Sequence, residues 1–433
     1  MSAPRSDEIL YVTGGRPLRG RVRVGGSKNA SLPLMAASLL TAEPIVLRNV
    51  AKVADTEVMA QILGELGVSV ERLDDGLRLW AREVTSEVPD HLARRMRASV
   101  VLLGPLITRA GAARLPKPGG DKIGARRVEQ HLRGLRAMGA EITETTTEFI
   151  ARAPQGLHGA RVVLDLPTVT GTENLVMAAA LARGRTEITN AAREPHVQDL
   201  CRLLIAMGAR ITGAGTDEIV VEGVPRLHGA EHRVIPDYLE AGTYAIAVAA
   251  TGGDVLLEEG PAEDLPSVLL KLQEAGASVE VGQRSIRVRR EPGGPLRGVD
   301  MCTYAHPGFP TDLQAQYLAL MTQAEGTTII SEYLHDNRFQ HVTELMRMGA
   351  RITVQGRDAF VRGPARLHGV DVVVPDIRSG AALVIAALCA RGTTEIGEVW
   401  HIDRGYEDMP GKLRALGAKI ERRSAVLTSQ PLR

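Results

Sequence analysis

Charged and amide side chains interrupt the apolar stretches of this chain at recurring places, and their chemistry suits the binding of anions. One set begins small-residue apolar stretches and comprises Lys28–Asn29, Arg97, Glu173–Asn174, Glu240, Asp312 and Arg378. A second set lies in loops before amphipathic segments and comprises Asp121–Lys122, Arg126, Arg193–Glu194, Arg338 and Asp403–Arg404. Lysine and arginine at helix N-termini form sites for phosphate and carboxylate groups. A lone cation at a helix start is usually a solvated surface residue, but its recurrence predicts a ligand with several negative groups.

The elements that must position these residues belong to one unit that occurs six times. Each copy contains a helix that ends in a glycine and is followed by a strand. The six glycines are Gly67, Gly139, Gly208, Gly276, Gly349 and Gly417, at intervals of 68 to 73 residues. Glycine at this position suits a left-handed helix C-cap.

Two further features recur with the same period. A Leu-x-Gly turn precedes a strand at residues 18–20, 157–159, 227–229, 296–298 and 367–369, and the second copy lacks it. Each copy also has a helix that is apolar on every side, which predicts that the helix is buried. Every copy therefore offers two helices and about four short strands, in a βαβαββ-like order.

Six such copies exceed what one core usually holds, so we predict an α/β protein of two domains with three copies each. The first domain is expected at residues 21–235 and the second at residues 1–20 together with 236–433. Residues 1–20 lack a full copy of the unit, so their strand is expected to complete the second domain. The crossover near residues 235–237 is the other natural hinge.

Composition excludes several functional classes. The 433 residues are 44% hydrophobic and 24% charged, and 52 Lys and Arg against 51 Asp and Glu leave a net charge of +1. This balance argues against a dedicated nucleic-acid or membrane-surface binder. The 13 aromatic residues (2 Trp, 7 Tyr and 4 Phe) are too few for a platform on which bases stack.

Apolar runs and cysteine spacing predict the cellular location and the lack of a disulfide framework or zinc site. Apolar runs such as 381–390 are shorter than the roughly 18–20 residues of a membrane span, and residues 1–10 carry acids instead of a signal-peptide pattern. We therefore expect a cytoplasmic protein. Cys201, Cys302 and Cys389 lie far apart, which indicates neither a disulfide framework nor a zinc site. The chain also carries no Walker loop or dinucleotide fingerprint.

The most unusual loop is KPGGDKIGARR at residues 117–127, which combines Gly119 and Gly120 with alternating charges. Paired glycines permit large changes of backbone conformation. We expect a mobile lid that delivers Asp121 and Lys122 to a substrate, with an ordinary surface loop as the alternative.

Eight separated motifs extend the pattern along the whole chain. They are GSKNA at 26–30, MRAS at 96–99, GG-x-x-IGAR at 119–126, TVTGTEN at 168–174, NAAREP at 190–195, FPTD-x-QAQ at 309–316, NRF at 337–339 and HIDRGYE at 401–407. Together they resemble the UDP-N-acetylglucosamine 1-carboxyvinyltransferase family. The resemblance implies an inside-out α/β barrel in each domain, with the active site in the cleft between the two.

The same resemblance implies a reaction and its partners. The enolpyruvyl group of phosphoenolpyruvate passes to the 3-hydroxyl of UDP-N-acetylglucosamine through a tetrahedral ketal, and phosphate is released. This is the first committed step of peptidoglycan synthesis, and it uses no metal or organic cofactor. Oligomeric state is left open, a monomer included.

Site residues follow from the resemblance position by position. Lys28, Arg126 and Arg404 would hold the phosphate of phosphoenolpyruvate, and Arg338 and Arg378 its carboxylate. Asp312 would be the general base at the sugar hydroxyl, and Asp121, Lys28 and Arg404 are the other catalytic candidates. Contacts to the nucleotide sugar are expected from Asn29, Arg97, Thr168, Val169 and Thr170, and contacts to uracil from Arg127, Val128, Glu129 and Gln130. Tyr333 is a further substrate-binding candidate.

Two residues and one segment depart from the family pattern. Asp121 stands where most members carry the cysteine that fosfomycin alkylates, so we expect a proton-donating aspartate and resistance to fosfomycin. Lys122 replaces a small residue, and the uracil segment RVEQ replaces the more frequent PVDL. Two alternatives stay open: a 3-phosphoshikimate 1-carboxyvinyltransferase, and a catalytically silent paralogue that binds the nucleotide sugar.

Overall fold

The computed structural model describes residues 8–424 and divides them into two compact units. Unit I contains the described residues up to Val24, the short segment Lys122–Ala125 and the described residues from Tyr238 onward. Unit II contains Gly25–Asp121 and Arg126–Asp237.

Short strands and helices alternate along the whole described chain. The strands are β1 (Glu8–Thr13), β2 (Leu18–Arg23), β3 (Ile45–Arg48), β4 (Ser69–Leu73), β5 (Gly76–Trp80), β6 (Ala112–Pro116), β7 (Glu141–Glu144), β8 (Glu148–Arg152), β9 (Arg161–Val163), β10 (Arg185–Thr189), β11 (Arg210–Thr212), β12 (Glu218–Glu222), β13 (Glu231–Arg233), β14 (Gly253–Glu258), β15 (Ser278–Gly282), β16 (Ser285–Arg290), β17 (Met301–Cys302), β18 (Gly326–Ser331), β19 (Arg351–Gln355), β20 (Asp358–Gly363), β21 (Asp371–Val373), β22 (Thr393–Gly397) and β23 (Lys419–Ser424).

The helices are α1 (Lys28–Ala36), α2 (Ala54–Glu65), α3 (Asp90–Ala93), α4 (Leu103–Ala110), α5 (Glu129–Ala137), α6 (Val169–Ala180), α7 (Pro195–Ala206), α8 (Tyr238–Thr251), α9 (Pro266–Ala275), α10 (Gln314–Met321), α11 (His341–Arg347), α12 (Ile377–Cys389), α13 (Trp400–Asp403) and α14 (Met409–Ala415). Short 3-10 helices occupy Ala37–Leu40, Arg97–Leu102, Ala262–Asp264 and Thr311–Leu313.

The strands form six small sheets, three in each unit. Five sheets have four strands, in the orders β21-β22-β1-β23, β15-β16-β14-β2, β17-β18-β20-β19, β11-β12-β10-β9 and β13-β3-β5-β4. In each of these, the strand at or after a Leu-x-Gly turn lies parallel at the edge. The sixth sheet, β6-β8-β7, belongs to the copy without the turn, and only an isolated bridge from Glu87 to Arg114 stands where the parallel strand would be.

Apolar helices lie inside the sheets, as the sequence predicts. In unit I, α8, α10 and α12 contact one another, and each packs on a different sheet. Residues of these helices are almost all buried, and each unit has its own core of aliphatic side chains and alanine. The predicted α/β fold with three copies per unit and the helices inside is therefore confirmed.

The first strand completes the last copy of the repeat. β1 pairs antiparallel with both β22 and β23, so it fills the third position of that sheet. The N-terminal strand therefore lies in one sheet with two strands from the C-terminal part of the chain.

The unit boundaries differ from the expected 20/21 and 235/236. β2 continues to Arg23 and pairs with β14 along its full length, so the first crossing comes after Val24. The second comes after Asp237, because the Ile235 carbonyl accepts from the Ser27 N–H and the Asp237 N–H donates to the Gly25 carbonyl. Backbone pairing between these two segments keeps both in unit II.

Left-handed glycines end the helices of all six copies. The six repeat glycines have φ between 93° and 110°, which confirms the predicted C-caps. An L-residue in this region places its Cβ too close to the backbone, at a cost of about 1–2 kcal/mol.

Two glycines three residues apart provide a test of this constraint. At Gly67 (φ 96°) an added Cβ would also lie 2.8 Å from the Glu83 carbonyl oxygen, whereas at Gly64, inside α2, it would meet nothing within 4 Å. We expect Gly67→Ala to lower the free energy of unfolding by about 1–2 kcal/mol and Gly64→Ala to raise it by about 0.5–1 kcal/mol. Urea unfolding of both variants measures the difference, and equal effects would contradict the account.

Candidate active site

Unit I brings three predicted site residues into direct contact. Arg338 donates from Nη2 to Oδ1 of Asp312 at 2.9 Å, and Arg378 donates from Nε and Nη2 to Oδ2 at 3.1 and 2.9 Å. The two guanidinium side chains are only 3% and 4% exposed, while the carboxylate is 27% exposed. Both oxygens of one half-buried carboxylate are therefore bound by two buried cations.

Neighbouring groups hold these arginines in place. Asp376 caps α12 and accepts from the backbone N–H groups of Arg378 and Ser379. Burial alone would raise the pKa of Asp376, but the charge of Arg338 and the hydrogen bonds from Ser379 lower it below its usual value. The guanidinium of Arg378 also lies over the ring of Tyr406, 5.3 Å from its centre.

Arg404 and Tyr333, also in unit I, have different surroundings. Arg404 is buried, and its guanidinium lies 5.8 Å from the ring centre of Trp400. Tyr333 is 55% exposed, and its backbone N–H donates to Thr303 Oγ1. The described contacts do not join Tyr333 to the Asp312 cluster.

In unit II, Lys28 begins α1 and is held at both ends. Its Nζ lies 2.9 Å from Oδ2 of Asp55, and its backbone N–H donates to Oδ2 of Asp237 at 3.0 Å. Ser27 caps the helix by accepting from the Ala30 N–H. The neighbouring Asn29 is half-buried.

Two further predicted cations lie close together in unit II. Arg97 begins a 3-10 helix that packs against α1, and its Nη2 donates to the Arg126 carbonyl. Burial lowers the pKa of Arg97 to about 10, the charge of Arg126 acts in the same direction, and Glu129 opposes them. Arg97 stays protonated at neutral pH, so this part of unit II is electropositive and suits an anion.

The predicted nucleotide-sugar residues begin α6. Thr168 is its N-cap, and Thr170 Oγ1 lies 3.2 Å from Nε2 of His131. His131 is fully buried and its Nδ1 lies 2.9 Å from the Asn174 amide nitrogen, so this nitrogen accepts and Nε2 carries the hydrogen. Thr168, Val169 and Thr170 are half-buried, which leaves them accessible to a ligand.

The predicted uracil residues surround the start of α5. Glu129 and Gln130 help to line a surface depression of about 300 Å³, together with Arg133, Arg136 and Asp165. Gln130 accepts from the Asp165 backbone N–H and donates to the Leu166 carbonyl. Arg127 is exposed and Val128 is buried.

The glycine-rich loop is divided between the units. Residues 122–125 group with unit I, where Asn337 and Gln340 donate to the Lys122 carbonyl and the Ala125 N–H donates to Asp336. The Lys122 side chain is exposed and Asp121 is half-buried. The expectation that the whole loop belongs to the first domain is therefore wrong, because residues 336–340 bind its centre.

Helix N-termini play a smaller part than the sequence suggests. The backbone N–H groups expected to receive an anion are bound by the chain's own side chains, at Lys28 by Asp237, at Gly171 by Thr168 and at Arg378 by Asp376. These three backbone N–H groups are therefore already bound within the chain.

Two acids of the recurrent set have structural surroundings. Glu240 forms a 2.6 Å ion pair with Lys412. Glu173 is buried, and burial followed by the charge of Glu194 raises its pKa well above the usual value. Burial beside a second acid therefore favours the protonated form of Glu173.

The chain is similar over nearly its whole length to proteins of known family. The family model of EPSP synthase (3-phosphoshikimate 1-carboxyvinyltransferase) matches residues 12–413. The chain is 51% identical over 419 residues to UDP-N-acetylglucosamine 1-carboxyvinyltransferase of Sorangium cellulosum, covering 96% of this chain and 98% of the relative. It is 50% identical over 416 residues to the same-named protein of Gluconacetobacter diazotrophicus, covering 95% and 99%.

The chain belongs to the UDP-N-acetylglucosamine 1-carboxyvinyltransferase family of enzymes. Among solved structures, the enolpyruvyl transferase NikO from Streptomyces tendae superposes with a TM-score of 0.87 at 26% identity, covering 97% of this chain and all of the other. EPSP synthase from Acinetobacter baumannii superposes with a TM-score of 0.74 at 19% identity, covering 96% and 100%, and shares the fold.

Several residues that contact the predicted site residues could not be identified from the sequence. Asp55 looks like an ordinary acid in the first turn of an amphipathic helix, and Asp237 like a loop residue before α8. Asp376 does carry a signal, because an aspartate just before an apolar helix is a frequent N-cap. His131 carries none, since a histidine on an amphipathic helix is common.

Two findings bear on cofactors and location. Between residues 8 and 424, no group of three or more His, Cys, Asp or Glu side chains has a geometry that could hold a metal ion. Within the same described range, every helix is too short or too polar to cross a membrane.

Buried His131 predicts a pH dependence of stability. Burial, and then the charge of Arg97, lowers its pKa to about 3, whereas an unfolded histidine titrates near pH 6.5. As pH falls below about 6.5, only the unfolded state gains the proton, so the free energy of unfolding falls by up to about 1.4 kcal/mol per pH unit until about pH 3.

We expect His131→Gln to lose less stability than the wild type between pH 7 and pH 5 in thermal unfolding. His158→Gln, which removes an exposed histidine, is the matched control, and identical slopes for all three proteins would contradict the prediction.

Proposed function

We propose that the protein transfers the enolpyruvyl group of phosphoenolpyruvate to the 3-hydroxyl of UDP-N-acetylglucosamine, with release of phosphate, as the first committed step of peptidoglycan synthesis. The observation that carries the proposal is the pair of buried arginines on the Asp312 carboxylate. The names of relatives about 50% identical over nearly the whole chain supply the substrate class. A cytoplasmic location, with no resident metal or cofactor, is part of the proposal.

The arginine pair supports a binding step that also activates the base. A carboxylate whose two oxygens accept three hydrogen bonds from cations is a weak base, because the bonds stabilise its charged form. The carboxylate of phosphoenolpyruvate carries the same charge and geometry. On binding to Arg338 and Arg378 it would displace Asp312, which then accepts the proton of the sugar hydroxyl.

The remaining roles concern the phosphate and the proton. Lys28, Arg126 and Arg404 would hold the phosphate of phosphoenolpyruvate. Asp121 would donate a proton to C3 while the sugar oxygen bonds to C2, which yields the tetrahedral ketal. Loss of phosphate from C2 and of a proton from C3 then forms the enol ether, and fixed cations stabilise the charge that develops.

Nucleotide-sugar binding is assigned to unit II. Asn29, Thr168, Val169 and Thr170 are half-buried at the starts of two apolar helices, and Arg97 adds a cation beside them. Glu129 and Gln130, in the depression at the start of α5, would contact uracil together with Arg127 and Val128, and Tyr333 is assigned to the substrate from unit I. Lys28, Asp312, Arg338 and Arg404 are all present, which argues against a silent paralogue.

Turnover with two acceptors tests the function. We expect purified protein to release inorganic phosphate from phosphoenolpyruvate with UDP-N-acetylglucosamine, and not with shikimate 3-phosphate, and the product mass identifies the ether. Asp312→Ala should nearly abolish turnover, because the base is lost, and should leave nucleotide-sugar binding intact, because that binding is assigned to unit II. Asp371→Ala, which removes an exposed acid of the same unit, should change neither. Turnover with shikimate 3-phosphate alone, or ligand binding without turnover, would overturn the proposal.

Resistance to fosfomycin is the second expected outcome. The loop offers Asp121 in place of a thiol, and burial raises the pKa of the Cys201 and Cys389 thiols to about 12, so neither is a ready nucleophile. We expect the wild type to keep its turnover after hours with fosfomycin, and Asp121→Cys to lose it progressively. Cys302→Ser tests the one exposed cysteine and should behave as the wild type. Time-dependent inactivation of the wild type would contradict this expectation.

A further inference from the structure

The side chain of Lys28 is enclosed to a degree that a surface lysine is not. It is only 11% exposed, although it begins a helix and carries a full charge. A lysine ammonium is a compact charge on a flexible four-carbon stem, so its position depends on what binds it. Two carboxylates from distant parts of unit II provide that binding.

The first carboxylate, Asp55, binds the ammonium itself. Asp55 lies in the first turn of α2, its side chain is 5% exposed, and the Oδ2 to Nζ distance is 2.9 Å. α1 and α2 pack against each other, which fixes the distance between the two backbones. The ion pair is therefore held by helix packing and does not rely on two mobile side chains.

The second carboxylate, Asp237, binds the backbone of the same lysine. It accepts from the Lys28 N–H at 3.0 Å, and its own N–H donates to the Gly25 carbonyl at 2.9 Å. The Ser27 N–H donates to the Ile235 carbonyl at 2.8 Å. The backbone of Lys28 is therefore fixed by its pairing with residues 235–237. Its ammonium is fixed by Asp55 of α2.

Energetics argue that this pair does more than stabilise the fold. A buried ion pair contributes little net stability, because removing both charges from water costs about as much as their attraction returns. A lysine whose only task were packing would be replaced at little cost by an apolar side chain. Orientation of the ammonium is a task that the apolar replacement would not perform.

We propose that Asp55 is a positioning residue that holds the Lys28 ammonium where the phosphate of phosphoenolpyruvate binds, with Asp237 fixing the backbone end of the same lysine. The inference rests on the proposed function, in which Lys28 binds that phosphate. Asp55 itself does not touch the substrate and acts through Lys28.

The test compares neutralised acids on one helix. Asp55→Asn should lower kcat/KM for phosphoenolpyruvate at least tenfold and leave the KM for UDP-N-acetylglucosamine within twofold of the wild type. Glu57→Gln makes the equivalent change two residues away in the same turn, where the acid pairs with Arg72, and should alter neither constant. Asp55→Glu keeps the charge and should recover part of the loss.

A double-mutant cycle separates positioning from general damage. In the Lys28→Ala background, Asp55→Asn should change the dissociation constant of phosphoenolpyruvate less than twofold, measured by calorimetry without acceptor sugar. In the wild-type background the same substitution should weaken that binding at least tenfold. If Asp55→Asn does not fold, as judged by circular dichroism, Asp55→Glu enters the same cycle and should show its loss only when Lys28 is present.

Three results would overturn the inference. They are kcat/KM of Asp55→Asn within twofold of the wild type, tighter binding of phosphoenolpyruvate by that variant, and an equal effect with and without Lys28. Failure of the proposed function is a separate result, because the wild type would then release no phosphate with UDP-N-acetylglucosamine while the binding cycle is still measurable.

Discussion

A charge placed in the first turn of a buried helix has to be balanced, and this constraint shapes both units. The helices are buried because they are apolar on every side, yet several carry an ionisable or amide side chain at or near their start. Taking a charge out of water without a partner is far more costly than any single contact can repay. The chain meets the constraint by pairing some of these charges and by burying one acid in surroundings that favour its protonated form.

These charged groups differ in whether a charged ligand can replace their present partner. Glu240 with Lys412 is a closed pair of short distance, and Glu173 is favoured in its neutral form, so neither offers charge to a ligand. Asp312 is different, because its carboxylate is more exposed than the arginines that bind it. A substrate carboxylate can take its place without leaving the two buried guanidinium groups unbalanced, which is the feature that the proposed chemistry uses.

Capping by side chains is the reason that the proposed function assigns anion binding to cationic side chains and not to helix dipoles. Asp237, Thr168 and Asp376 each accept from a backbone N–H at the start of a buried helix. A carboxylate at that end also opposes the approach of a second anion. In the proposed function the lysine and arginine side chains are therefore the groups that bind a phosphate.

Much of the architecture is determined by local sequence. Glycines at a period near 70 residues encode left-handed helix ends, Leu-x-Gly turns encode parallel edge strands, and the copy that lacks the turn also lacks that strand. These features depend on a few consecutive residues, so they can be predicted, and so can the family through its motifs. Tertiary structure alone decided which distant groups meet: Asp237 accepts from the Lys28 backbone N–H across 209 residues, Asp312 pairs with Arg378 across 66, and residues 336–340 bind the loop at the Lys122 carbonyl. Ion pairs depend on where separate helices come to lie, and no local pattern encodes that distance.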